Sequence, residues 1–283
     1  MQWDSIFLSM TKPVVHTRVK KVGNSGMLDS DDVLATEEPL EIRIISGPTH
    51  NRRQQQVSVT MRTPGNDEDL AAGFLFSEGI IHSYDAIAHT KMVTTKEGSI
   101  ITVTLRENVT PQLGNSQRNF TATAACGMCG KTDIANIHTG ASVSKAVIAT
   151  SADTIFRLPE TLRVQQSLFE STGGIHAAAL FDNEGELIIL QEDIGRHNAV
   201  DKVIGKAMRE AMFPLDQHLL LLSGRAGFEL IQKAAMAGIP VVAAVGAPSS
   251  MAVRMAEEWN ITLIGFLREQ RFNIYSGAHR VEI

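Results

Sequence analysis

Leu219-Leu220-Leu221-Leu222, closed by Ser223-Gly224-Arg225, and Ile239-Pro240-Val241-Val242-Ala243-Ala244-Val245, closed by Gly246-Ala247-Pro248-Ser249-Ser250, decide how this chain folds. Each is a short apolar run that ends on small and polar residues. Residues 187–191 and 261–266 repeat the form, and helical patterns fill 197–212, 226–237 and 249–259 between the runs. Apolar strands alternating with helices predict a mostly parallel sheet covered on both faces. Pro240 fits because it opens its strand.

Toward the amino terminus the period changes. Leu40, Ile42 and Ile44 alternate with Glu41 and Arg43, and Val57, Val59 and Met61 repeat the alternation over 55–62. Both are half-buried strands. Pro64-Gly65-Asn66 then turns the chain into a helix, with Asp67 or Asp69 as the expected cap and Gly79 near its end. A further strand at 99–105 completes a small α+β unit over 38–110. Residues 1–37 form a polar arm in which no element is predicted, and 111–140 form a connection. A larger α/β unit spans 141–283.

A net charge of −5, from 26 basic and 31 acidic residues, argues against broad nucleic-acid binding. No apolar run is long enough to span a bilayer, and Ile6-Phe7-Leu8 lacks the basic start of a signal peptide. A cytoplasmic protein without membrane partners is the expectation.

The connection holds both cysteines of the chain, in Cys126-Gly127-Met128-Cys129-Gly130. Packing gives no reason for that spacing, which points to sulfur chemistry, a metal half-site or a redox disulfide. Zinc is disfavoured, because no second cysteine pair or matching histidine pair accompanies it. His176-Ala177-Ala178 also lacks the glutamate of a deaminase site. Gly130-Lys131-Thr132 is no P-loop, since position 125 is alanine. A thioredoxin-like site expects a βαβ approach, whereas this approach is polar. Lys131 and a helix start at 131–137 would favour a thiolate.

The strand ends carry Glu192-Asp193-Ile194-Gly195-Arg196-His197, Ser223-Gly224-Arg225, the 246–250 loop and Leu267-Arg268-Glu269-Gln270-Arg271. Ligands of such sheets gather at strand ends, and arginines pair with anions, so a nucleotide-like anion is expected there. Turn-building and capping are the plainer roles of these residues. Asp193 is read as a helix cap, and Asp201 and Lys202 as members of an exposed face.

Phe74-Leu75-Phe76-Ser77-Glu78-Gly79-Ile80-Ile81, the cysteine turn, Gly174-Ile175-His176-Ala177-Ala178, the run from Glu192 to Lys202, Ser223-Gly224-Arg225 and the closing Gly265-Phe266 and Arg271-Phe272-Asn273-Ile274-Tyr275 together resemble the FdhD family. The resemblance implies an α/β protein with a cytidine-deaminase-like carboxy-terminal domain without zinc, and a homodimer. It implies a sulfur carrier that takes sulfur as a persulfide from a cysteine desulfurase. The sulfur then passes to molybdenum bis(molybdopterin guanine dinucleotide), bound as substrate, in the service of the formate dehydrogenase apoenzyme. Cys126 corresponds to the persulfide-bearing cysteine and Cys129 to its neighbour. Phe266, Leu267, Arg268, Glu269, Gln270 and Arg271 correspond to the cofactor-binding segment, and Ser223, Gly224, Arg225 and Ser249 are expected to help anchor the dinucleotide. Many relatives look glycine-rich where this chain has Glu269-Gln270. A cofactor-binding chaperone without sulfur transfer and a dithiol oxidoreductase are the alternatives.

Overall fold

The computed structural model describes residues 12–24, 26–113 and 141–283. Its first elements contradict the featureless arm. β1 (Val14–Gly23) and β2 (Gly26–Ala35) form an antiparallel ribbon that sets Arg18 opposite Asp31 and Lys20 opposite Asp29. Lys20 Nζ lies 2.9 Å from Asp29 Oδ1. The acidic stretch Asp29-Ser30-Asp31-Asp32 therefore supplies the cross-strand partners of Arg18 and Lys20. Such exposed pairs contribute little energy, but they favour this register over shifted ones.

The alternating segments form a second sheet. β3 (Glu38–Ser46), β4 (Arg53–Arg62), β5 (Ile87–Thr94) and β6 (Ser99–Leu105) lie in the order β4-β3-β6-β5, with only β3 and β6 parallel. β3 buries Leu40, Ile42 and Ile44 under α1 (Asp67–Ser77), as its period requires. The expected caps are corrected. Asn66, at φ 55°, is the N-cap, and Asp67 and Asp69 lie inside the first turn. Their carboxylates are taken by arginines: Asp67 Oδ1 accepts from Arg62 Nε at 2.6 Å, and Asp69 accepts from Arg209 Nε at 2.8 Å and Nη2 at 3.0 Å.

After β7 (Thr150–Ser151), α2 (Ala152–Gln165) and α3 (Ser167–Thr172) come β8 (His176–Phe181), β9 (Leu187–Asp193) and α4 (Arg196–Arg209). β10 (Leu219–Leu222), α5 (Phe228–Ala237), β11 (Val241–Ala244), α6 (Ser250–Glu258), β12 (Thr262–Arg268), β13 (Arg271–Ser276) and β14 (Val281–Glu282) follow. The large sheet runs β13-β12-β11-β10-β8-β9. Only β10–β11 and β11–β12 pair in parallel, so the mostly parallel sheet is corrected to a mixed one. The four strands expected from apolar runs do share one direction, since β9 and β10 are each antiparallel to β8. β8 is inserted between them, and β13 folds back on β12 through Glu269-Gln270, a connection too short for a parallel crossover.

The leucine run serves two cores. Leu219 and Leu221 pack with Ile155, Leu158 and Leu162 of α2, and Leu220 and Leu222 pack on the face covered by α4, α5 and α6. The second of these cores continues without a break into the small sheet through α1, which crosses α4 at backbone contact. A Cβ on Gly73 would stand 1.9 Å from the Asp201 carbonyl oxygen, and one on Gly205 would stand 1.9 Å from that of Asp69.

Asp201 and Lys202 are 2% and 1% exposed, which corrects their assignment to an exposed face. Asp201 pairs with Lys233 at 2.7 Å and accepts from Ser77 Oγ at 2.9 Å. Lys202 pairs with Asp193 at 2.7 Å and donates to the Thr63 carbonyl at 2.9 Å. The Glu192-to-Lys202 motif thus ties α4 to β4 and α1. No described helix is long and apolar enough to cross a membrane.

Candidate functional site at the strand edge

All four punctuated loops lie on one edge of the large sheet, where β9, β10, β11 and β12 end and β8 and β13 begin. α4, α5 and α6 start there. Three of the loops are laced by backbone bonds. Gly246 N donates to Gly224 O at 2.9 Å, Ser249 N to Ala226 O at 3.0 Å, and Phe266 N to Gly246 O at 3.1 Å. A Cβ at position 246 would lie 2.9 Å from the Arg225 nitrogen and the Gly224 oxygen, so glycine is what lets two loops touch there.

The expected site residues divide by what they touch. Ser223 Oγ accepts from Ala177 N at 2.8 Å, and Gly224 leaves room for the His176 ring, whose Nδ1 would stand 3.3 Å from a Cβ. Ser249 is the N-cap of α6 and accepts from Ala252 N at 3.2 Å, which is the plainer role. Leu267 is fully buried and packs in the core beside α2, so it offers a ligand only its backbone. Arg268 Nη1 donates to Val245 O at 2.7 Å and Leu267 O at 2.9 Å.

Glu269 and Gln270 form the exposed two-residue turn, and Arg271 stands opposite Arg268 across it. Arginines flanking an exposed turn can pair with an anion. Phe266 is 44% exposed and holds φ 54°, a left-handed backbone unusual for a bulky side chain. Such residues persist where the surroundings over-determine them, and the laced loops do so here. Arg225 is exposed on the same edge. Cys126 and Cys129 lie outside the described residues.

His176, at the start of β8, is half-buried among Arg196, His197 and Arg225. Its pKa is lowered, first by burial and then by the neighbouring positive charges. Unfolded histidine takes a proton near its ordinary pKa of 6.5, while the folded imidazole stays neutral. Stability is therefore lost as pH falls from 6.5 toward the folded value. His218 is shifted the same way by burial. His176→Gln is expected to show a smaller fall in Tm than the parent between pH 7 and pH 5, by about 1–2 °C; calorimetry showing identical falls would remove His176 from this account.

His197 Nε2 lies 2.9 Å from Glu229 Oε2, so this histidine is engaged by α5. Between the edge and helices α2 and α3 lies a cavity of about 570 Å³, lined in part by Leu162, Arg163, Gln166, Phe169, His176 and Ser223. Arg163 and Gln166 escape sequence reading because no motif marks them; only the folding of α2 and α3 against the edge brings them to His176.

A mixed sheet with glycine, serine and arginine loops gathered on one edge defines an α/β protein of the kind that takes ligands at its strand ends. The chain belongs to the FdhD/NarQ family, whose model matches residues 35–282. A sulfur carrier protein FdhD of Nocardia farcinica is 46% identical over 272 residues, 93% of each chain. One from Sulfurisphaera tokodaii is 40% identical over 268 residues, 95% of this chain and 99% of the relative. In fold, the chain resembles a crystal structure from Desulfotalea psychrophila described as a formate dehydrogenase accessory protein. The TM-score is 0.73 and the identity 23%, over 95% of this chain and all of that one.

Proposed function

We propose that the chain is a sulfur carrier. It accepts sulfur from a cysteine desulfurase as a persulfide on Cys126 and passes it to molybdenum bis(molybdopterin guanine dinucleotide) before that group enters formate dehydrogenase. The names of the relatives support the carrier role. The observation that carries the acceptor half is the strand edge. There Arg225, Arg268 and Arg271 are exposed on the edge that also exposes Phe266, and Arg268 and Arg271 flank the Glu269-Gln270 turn. Such an edge suits a diphosphate, which arginines grip bidentately.

In the loading step the Cys126 thiolate attacks the outer sulfur of the donor's persulfide. The donor's sulfur–sulfur bond breaks, its cysteine leaves as thiolate, and the new bond holds the sulfur on Cys126 with no net oxidation. Cys129, three residues further along the sequence, is the thiol that would displace that sulfur or protect it. The carboxy-terminal unit is read as cytidine-deaminase-like and without zinc. His176 is followed by Ala177 and Ala178, so the glutamate of the deaminase signature is missing. The working form is a cytoplasmic homodimer.

Mass spectrometry after incubation with a desulfurase and cysteine tests the loading step. An adduct of about 32 Da, one sulfur, is expected on Cys126 and absent from Cys126→Ala. A chaperone that merely binds the cofactor would carry no adduct. A dithiol oxidoreductase would instead give a reversible Cys126–Cys129 disulfide.

A further inference from the structure

A second cavity, of about 400 Å³, opens at the amino terminus of α1, where that helix meets β5 and β6. Ser99 of β6 lines it and is only 3% exposed, and its Oγ has no hydrogen-bond partner among the described residues. The helix start beside it is uncapped. Asn66 holds a left-handed backbone and donates from its side chain to Gln191 Oε1 at 2.7 Å instead of capping. The N–H groups of Asp67, Glu68 and Asp69 therefore also lack partners among the described residues. Buried polar groups are normally satisfied, and an open helix start attracts carboxylates, so these donors form one side of a ligand site.

The charges around these donors limit the ligand. Asp67, Glu68 and Asp69 line the same cavity, against Arg62 and Arg209. Arg62 is shared between Asp67 and Glu38, and Arg209 is held by Asp69 through two nitrogens. Glu68 is exposed and accepts from the Thr90 hydroxyl at 2.7 Å, so it is the carboxylate without a cation. A simple anion would meet an excess of carboxylates, and a simple cation would leave the N–H groups and Ser99 unanswered. A zwitterion answers both. We propose that the cavity receives the zwitterionic end of a free α-amino acid. Its carboxylate accepts from the α1 N–H groups and the Ser99 hydroxyl, and its ammonium pairs with Glu68. Met92 and Pro64 give the ligand's side chain an apolar wall, and about 400 Å³ is within the range of small-molecule sites. The assignment goes beyond the carrier reading and does not depend on it.

Titration calorimetry on the full chain with L-alanine, L-methionine and L-glutamine tests it. At least one is expected to bind with a Kd below about 1 mM. Its N-acetyl and carboxamide derivatives each lack one of the two charges and should bind at least about 10-fold more weakly. At ten times its Kd the amino acid should raise Tm by about 2–4 °C. Ser99→Ala should weaken binding about 5-fold and leave the Tm of the free protein unchanged or higher, because it removes an unsatisfied buried hydroxyl. Glu68→Gln, on an exposed side chain, should weaken binding about 10-fold. No binding of any of the three at millimolar concentration, equal binding of the blocked derivatives, or unchanged affinity in either variant would overturn the proposal. Persulfide loading of Cys126 is read separately, so failure of the cavity leaves the carrier reading intact, and the reverse also holds.

Discussion

Gly73→Val is expected to yield almost no folded protein. The helix crossing at this point has no room for a side chain. Even a methyl group would overlap the Asp201 carbonyl oxygen at 1.9 Å and its carbon at 2.7 Å. Backbone atoms in the middle of α4 cannot swing aside as a flexible side chain would. Relief requires the two helices to separate, which would open the core shared by the two sheets and pull Ser77 from Asp201. A cost above about 5 kcal/mol is expected, comparable to the whole stability of many domains. Gly23→Ala is the control, because nothing lies within 4 Å of the added carbon. Soluble yield and thermal unfolding by circular dichroism read the outcome. A Gly73→Val protein melting within a few degrees of the parent would show that the helices do not meet in this way.

Lys202→Met is expected to cost about 3–5 kcal/mol, since it strands a buried carboxylate. Asp193 is fully buried and meets Lys202 Nζ at 2.7 Å. It also accepts from Gly195 N at 2.8 Å, Asn198 Nδ2 at 3.0 Å and Thr63 N at 3.2 Å. Burial already raises the pKa of Asp193, against the pull of Lys202. Without the lysine its folded pKa rises further above the unfolded one, so the folded variant gains stability as pH falls through that folded value. The defect of Lys202→Met should therefore be smaller at pH 5 than at pH 8, and adding Asp193→Asn should recover part of it. Urea unfolding at the two pH values measures both effects. A loss below about 1 kcal/mol at pH 8 would mean the pair is open to solvent.

Both predictions concern places where local patterns misdirect. Asp201 and Lys202 sit in a helix with charges at ordinary spacing, and that pattern reads as a solvated face. Their burial depends on Lys233, Ser77 and Thr63, which are remote in the chain. α2 escapes notice although Ile155, Leu158 and Leu162 follow a helical period, because Pro159 interrupts it. The β1–β2 ribbon is missed for another reason. Its residues are mostly exposed, so it lacks the buried face that makes alternation visible.

The strand-edge loops are the opposite case. Ser223-Gly224-Arg225 and the 246–250 loop stand out because apolar strands must stop, and small residues must follow where backbones touch. The sequence by itself determined the small sheet's alternation, the four codirectional strands and the residues that end them, since these follow from local period and turn chemistry. It also carried the family and the cysteine pair. Tertiary structure decided that β8 enters between β9 and β10, that the charged motif after β9 is an internal tie, and that Gln166 and Arg163 reach His176. Each of these depends on residues far apart in the chain meeting in space, where burial and charge pairing are set by the partner and leave no mark in the local pattern.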